Sequence, residues 1–93
     1  MIERQGDLLV VKLPLVMDNA RMLLDAGCAA MSGGEQVFDL SQVEEADSSA
    51  VAVMLGWLRA AESLRSTVKF ANIPAGVRSL AELYGLADFL PLA

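Results

Sequence analysis

Apolar residues recur along this chain at two spacings, one suited to strands and one to helices. Leu8-Leu9-Val10-Val11-Lys12-Leu13 is a short run rich in β-branched residues and closed by Pro14, which predicts a strand. Ile2 to Arg4 can pair with it across Gln5-Gly6-Asp7, because Gly and Asp suit tight turns. Asp18 is a candidate N-cap for a helix reaching about Met31. Its apolar positions Ala20, Leu23, Leu24, Gly27, Cys28 and Met31 keep the helical period until Ser32-Gly33-Gly34 ends it. Gln36 to Leu40 predicts a second strand, Ser48 or Ser49 to about Arg65 a second helix, and Thr67 to Ala71 a further strand. Pro74 opens a third helix with Val77, Leu80, Ala81 and Tyr84 on one face and Gly85 as its stop. The apolar tail, Leu86 to Ala93, has room for a last helical turn over Ala87 to Leu90.

Strands alternating with helices imply βαβ crossovers and a mostly parallel sheet. The expected fold is therefore α/β, a single small domain over residues 1–93. Its four strands would form one sheet with helices packed mainly on one face, the other staying partly open or carrying a partner. The second helix is wider in its apolar arc than one sheet contact requires. Val51, Met54, Leu55 and Leu58 form a stripe suited to the sheet, while Val53, Trp57, Ala60 and Leu64 fall on the next arc. Either the third helix covers that second arc, placing Trp57 in the core, or Val53 and Trp57 belong to an interface with a partner.

Composition narrows the chemistry. At 93 residues the chain can hold a real core, and 55% hydrophobic with 20% charged residues excludes a disordered chain. So much apolar surface on a small domain also favours contact with a protein partner. A net charge of −5 without a basic stripe argues against nucleic acid and anionic membrane surfaces. No apolar run reaches the length of a membrane span, and Met1-Ile2-Glu3-Arg4 does not resemble a signal peptide, so the expected location is the cytosol. With no histidine and a single cysteine, Ser-His-Asp triads, Cys-His pairs and common zinc sites have no basis. Cys28, among small residues on a helix, reads as a small buried hydrophobe. No glycine cluster forms a phosphate loop or a dinucleotide fingerprint, so neither cofactor nor metal is expected.

The stretch Glu44-Glu45-Ala46-Asp47-Ser48-Ser49 carries most of the remaining chemistry: an acidic loop, then two hydroxyls at the start of an apolar helix. Unpaired N–H groups and the helix dipole make this a place to cap a helix, receive a phosphate or dock another protein. Asp47 or Ser48 can supply the cap. A phosphate on Ser48 would gain from the helix start and be repelled by Asp47, Glu44 and Glu45, a balance that suits a switch. The three acids read as a solvated loop rather than a metal site, because nothing fixes their geometry.

From Val37-Phe38-Asp39-Leu40-Ser41 through Asp47-Ser48-Ser49-Ala50-Val51-Ala52-Val53-Met54-Leu55, the sequence resembles the central motif of the STAS domain (sulfate transporter and anti-sigma factor antagonist). Ala71-Asn72-Ile73-Pro74 through Leu80-Ala81-Glu82-Leu83-Tyr84-Gly85-Leu86 resembles its last strand and helix. The resemblance implies two branches. In anti-sigma factor antagonists the first Ser of the turn, here Ser48, is phosphorylated by a partner serine kinase. The cytosolic STAS subunit of Mla-type phospholipid ABC transporters typically has Thr there and uses the surface to grip the transporter's ATPase subunit. The end of the chain, Leu80 to Pro91, is more similar to the second branch. Ala50 departs from the Gly usual in both, and its methyl narrows how closely a partner backbone can approach.

The resulting expectation is a non-catalytic cytosolic adaptor, peripheral at the inner membrane through its partner. It would bind and stabilise or regulate the ATPase subunit of a lipid-transport ABC system. The alternative is an anti-sigma factor antagonist switched at Ser48. The expected partner surface is Ser48, Ser49, Ala52, Val53 and Trp57, with Asp47 as the helix cap.

Overall fold

The hairpin predicted at the beginning of the chain forms β1 (Ile2–Gln5) and β2 (Leu8–Val11) in the computed structural model, which describes residues Met1 to Ala93. There follow α1 (Met17–Ala30), β3 (Gly34–Asp39), α2 (Ser49–Ser63), β4 (Ser66–Ala71) and α3 (Ala75–Leu83), then a 3-10 turn over Ala87–Phe89. The four strands form one sheet in the order β1-β2-β3-β4. β1 pairs antiparallel with β2, while β2-β3 and β3-β4 are parallel. Each parallel connection steps to the next strand in the same direction. Right-handed crossovers therefore place α1 and α2 on the same face of the sheet.

Strand alternation divides the two faces. Leu9, Val11, Gln36, Phe38, Val68 and Phe70 point toward the helices and are buried. The other face carries Glu3, Lys12, Glu35 and Lys69, joined as the ion pairs Lys12–Glu3 (2.9 Å) and Lys69–Glu35 (3.6 Å). Nineteen buried apolar residues form one cluster, in which α1, α2 and α3 contribute Leu23, Met54, Trp57, Val77 and Ala81 to the layer over the sheet. Gln36 is the one buried polar side chain. Its Oε1 accepts the Ser32 N–H at 2.7 Å and its Nε2 donates to the Ser66 hydroxyl, so its burial leaves no polar group unpaired and ties the α1–β3 loop to β4.

Helix ends are held by contacts of different range. α3 stops where Gly85 adopts φ +69°, the Leu86 N–H reaches back to the Ala81 carbonyl at 2.7 Å and the Gly85 N–H to Glu82 at 3.0 Å. This is the Schellman arrangement that glycine makes easy. The last carbonyl of α1, on Ala30, accepts from the Arg4 guanidinium of β1, which puts a cation at the negative helix end. Asp18 does not cap α1. It lies inside the first turn, Val16 holds the capping position without a side-chain hydrogen bond, and the Met17 N–H is taken by Asp47, thirty residues on.

Two expectations about α2 need correction. Its buried residues are Ala50, Val51, Val53, Met54, Trp57 and Ala61, so Val51 and Met54 of the expected stripe face the core while the buried arc turns toward Trp57 and away from Leu55 and Leu58, which are only half-buried. Trp57 is 0% exposed and Val53 3%, and neither can be a surface anchor. The indole stacks on Phe38 of β3 with centroids 4.1 Å apart and planes 5° off parallel. Its N–H donates to the Leu23 and Leu24 carbonyls of α1 at 3.2 and 3.3 Å. The cover over Trp57 is thus α1 and not α3. α1 can come this close because Gly27 faces the ring with no side chain in the way.

After the 3-10 turn, Leu90 enters the core and the tail runs along the outer side of β4. The Phe70 N–H donates to the Pro91 carbonyl at 2.8 Å, and the Ala93 N–H to the Phe70 carbonyl at 2.9 Å.

Candidate functional site

The β3–α2 loop brings two helix starts together. The Leu15 N–H donates to the Glu45 carbonyl (2.9 Å) and the Asp47 N–H to the Leu15 carbonyl (3.0 Å), so the acidic loop is laced to the segment entering α1. This fixes Asp47 between the two helices. One carboxylate oxygen accepts the Met17 N–H at 2.9 Å. The other accepts the Ser49 N–H at 2.9 Å and the Ser49 hydroxyl. A single side chain therefore satisfies backbone donors at the beginnings of α1 and α2, where such donors are otherwise unpaired.

Electrostatics follow from these bonds. The Ser49 hydroxyl, the Met17 N–H and the Ser49 N–H all favour the charged form and hold the Asp47 carboxyl below its ordinary value. Asp39, at the end of β3, is pushed up by burial. Hydrogen bonds from the Asn72 amide, the Ser41 N–H and the Ser41 hydroxyl outweigh that, leaving it lowered as well. A carboxylate lowered in the folded state contributes stability above its unfolded pKa of about 4, and the contribution is lost as pH falls through the folded value. Asp47→Asn is expected to lower the thermal midpoint at pH 7. Its gap from the wild type should narrow steadily below about pH 4. Melting curves across that range check this, and a gap that stays constant with pH would show that the charge is irrelevant.

The sequence-predicted residues are distributed unevenly. Ser48 is exposed and its hydroxyl makes no hydrogen bond within the chain, so it does not cap α2. Ser49 is half-buried and turned to Asp47. Ala52 is exposed one turn further on. Val53 offers only its edge, and Trp57 is absent from this surface. Between α1 and α2 lies an open groove of about 230 Å³ lined by Ala20, Arg21, Leu24, Ser49, Ala52 and Val53. Met17, 71% exposed, continues its α1 side by helical spacing. The α1 half of this surface escaped the sequence reading. Its signal was the stripe Met17, Ala20, Arg21, Leu24 beside the buried Leu23 and Gly27.

A carboxylate tying two helix starts, an exposed serine beside them and a shallow apolar groove make a surface for contact. Comparison with known proteins places the chain in the class of STAS domains, by sequence and by shape. Residues 2–92 match the family model described as Mlab, STAS domain, and the chain belongs to that family. Among solved structures, a candidate anti-sigma factor antagonist from Thermotoga maritima superposes with TM-score 0.75 at 16% identity, over 99% of this chain and 83% of that one. The anti-sigma factor antagonist SpoIIAA in its unphosphorylated form gives 0.71 at 18%, over 100% of this chain and 86% of the other. Murine Solute Carrier 26 family member A9, an anion transporter in the inward-facing state, gives 0.61 at 18%, over 94% of this chain and 14% of that one. No curated protein matched the chain. Identities this low carry the fold and leave partner choice to the site.

Proposed function

We propose that this chain is a non-catalytic adaptor that docks on the ATPase subunit of a lipid-transport ABC system through the start of α2. The observation that carries the docking surface is the exposed Ser48 hydroxyl, free of any partner in its own chain, beside helix starts that Asp47 holds rigidly. A hydroxyl in this position can exchange hydrogen bonds with a partner backbone, each worth about 1 kcal/mol net. Ala20 and Ala52 are small enough to admit a partner side chain between the helices. The ATPase as partner is supported by membership of the family described as Mlab and by the likeness of the Leu80–Pro91 segment to the Mla-type subunit. The protein would then act in the cytoplasm and reach the inner membrane only through that complex; no helix is long and apolar enough to cross a membrane.

The second reading, an anti-sigma factor antagonist, is favoured by the same free hydroxyl, since a kinase needs an accessible acceptor. Binding to the purified ABC ATPase of the host's lipid-transport system separates the two. Ala52→Arg is expected to weaken that binding at least about tenfold, or about 1.4 kcal/mol, with an unchanged melting temperature because Ala52 is solvent-facing. In the antagonist reading, Ser48→Asp abolishes binding to the anti-sigma kinase while Ser48→Ala keeps it, because added charge is what matters. An ATPase that binds neither wild type nor variants, together with phosphate on Ser48 by intact mass, would replace the first reading by the second.

A further inference from the structure

On the flank of α2 away from the α1 groove, a second and wider opening of about 500 Å³ is lined by Leu55, Leu58, Arg59, Glu62, Leu86 and Phe89. Phe38 and Phe70 are in the core, whereas Phe89 in the 3-10 turn is 66% exposed at the rim of this groove. Two of the lining residues are charged, and both come from α2. Arg59 and Glu62 are exposed, and neither takes part in the ion pairs of the chain, which are Lys12–Glu3, Arg21–Asp25 and Lys69–Glu35. Three residues apart, they are neighbours on one helix face, in the order, cation before anion, that is the poorer one for pairing within a helix.

A groove of a single sign would call for a partner of the opposite charge. This one carries one free cation and one free anion side by side on an apolar floor, and it is complementary to itself turned end for end. We propose that this face is the interface of a homodimer, with the groove of a second copy packed against the first across a two-fold axis. α2 then runs antiparallel to its counterpart, and Arg59 of each copy meets Glu62 of the other. Leu58 and Phe89 of both copies are buried between them. The apolar side chains supply the attraction, the two symmetry-related ion pairs set the register, and closure by the two-fold stops assembly at two. The contact is small: interfaces below about 1,200 Å² in total are weak and reversible, so a dissociation constant of about 10–100 µM is expected. The proposal does not rest on the docking reading above. Ser48, Ser49 and Ala52 lie outside this groove, so a dimer would present two copies of that surface.

Sedimentation equilibrium of the chain between about 5 µM and about 500 µM tests this, in about 150 mM salt, where the net charge of −5 on each copy is screened beyond about 8 Å. The mass is expected to rise from 9.9 kDa toward double that value. Phe89→Ser is expected to weaken the dimer at least about thirtyfold, as truncation of an interface anchor does. Arg59→Glu replaces two attractive contacts by two repulsive ones, because the symmetry repeats each pair, and is expected to weaken it about tenfold. Glu62→Arg is expected to do the same. An equimolar mixture of these two charge variants is expected to recover the wild-type affinity, since every cross-pair is then of opposite sign. All three positions are exposed, so melting temperatures should stay at the wild-type value. Ala52→Arg is expected to leave the dimer intact. A mass that stays at 9.9 kDa throughout, a dimer indifferent to Phe89→Ser or to the single charge reversals, or a mixture no tighter than its components would each overturn the proposal. Loss of the dimer in Ala52→Arg would overturn it too, by moving the contact to the α1 side.

Discussion

Trp57→Ala is expected to cost the fold about 3–5 kcal/mol, the usual range for removing a buried large aromatic side chain. A chain of 93 residues has about 5–14 kcal/mol of stability in all, so this variant should be at or near the limit of folding. The loss has three parts. The indole fills the space between α1 and β3, its stacking on Phe38 disappears, and the Leu23 and Leu24 carbonyls lose a donor. Trp57→Phe keeps most of the first two and is expected to fall in between. As the only tryptophan, Trp57 also reports its own position: acrylamide should barely quench its fluorescence in the native protein and should quench it freely in denaturant. Free quenching of the native protein, or a Trp57→Ala variant that unfolds at the wild-type urea concentration, would remove Trp57 from the core.

Gly27→Ala is the second large effect, and its sign is set by two opposing magnitudes. Alanine is favoured over glycine in a helix interior by about 1 kcal/mol. Against this, the added methyl would lie 2.1 Å from the Trp57 indole nitrogen, 2.5 Å from Cε2 and 2.8 Å from Cδ1. The ring cannot retreat, because Phe38 is stacked against it. Overpacking of a ring held this tightly falls at the upper end of the usual cost of about 1–3 kcal/mol, so the net expectation is a loss of up to about 2 kcal/mol. Gly56→Ala is the matched control on the facing helix. There the methyl would meet the Leu24 Cδ1 at 2.6 Å, the far end of a half-exposed side chain that can turn away, so the helix-propensity gain roughly cancels the crowding. Urea midpoints of the two variants should therefore separate clearly. Equal midpoints would mean that α1 and Trp57 are not in register as described.

The order of elements was readable because strand and helix periods alternate cleanly, with Pro14, Gly33-Gly34, Pro74 and Gly85 marking their limits. What local pattern could not carry was contact at long range. Asp18 has the chemistry of a cap, yet the α1 start is served by Asp47, and no spacing rule connects residues thirty positions apart. Trp57 was ambiguous for a similar reason. Its arc on α2 was legible, but which helix would lie over it depended on a glycine in α1 whose absent side chain makes the seat. For the candidate site, the α2 half could be read from the turn Asp47-Ser48-Ser49. The α1 half was hidden, because Met17, Ala20 and Arg21 become a surface only when the two helices are side by side.

The placement of the tail bears on how the protein behaves at high concentration. An open, mixed sheet of this size has two borders where backbone groups face outward, and such borders recruit other chains. One border is β1, short and with Glu3, Arg4 and Gln5 in sequence, which makes a poor template for strand addition. The other would be β4, whose Thr67-Val68-Lys69-Phe70 is strongly β-forming. Residues Pro91 to Ala93 lie along it and occupy both backbone groups of Phe70, with Pro91 supplying no donor to a passing strand. Losing those few residues would uncover a sticky border beside the aromatic centre of the core, and aggregation rather than misfolding would be the form the damage takes.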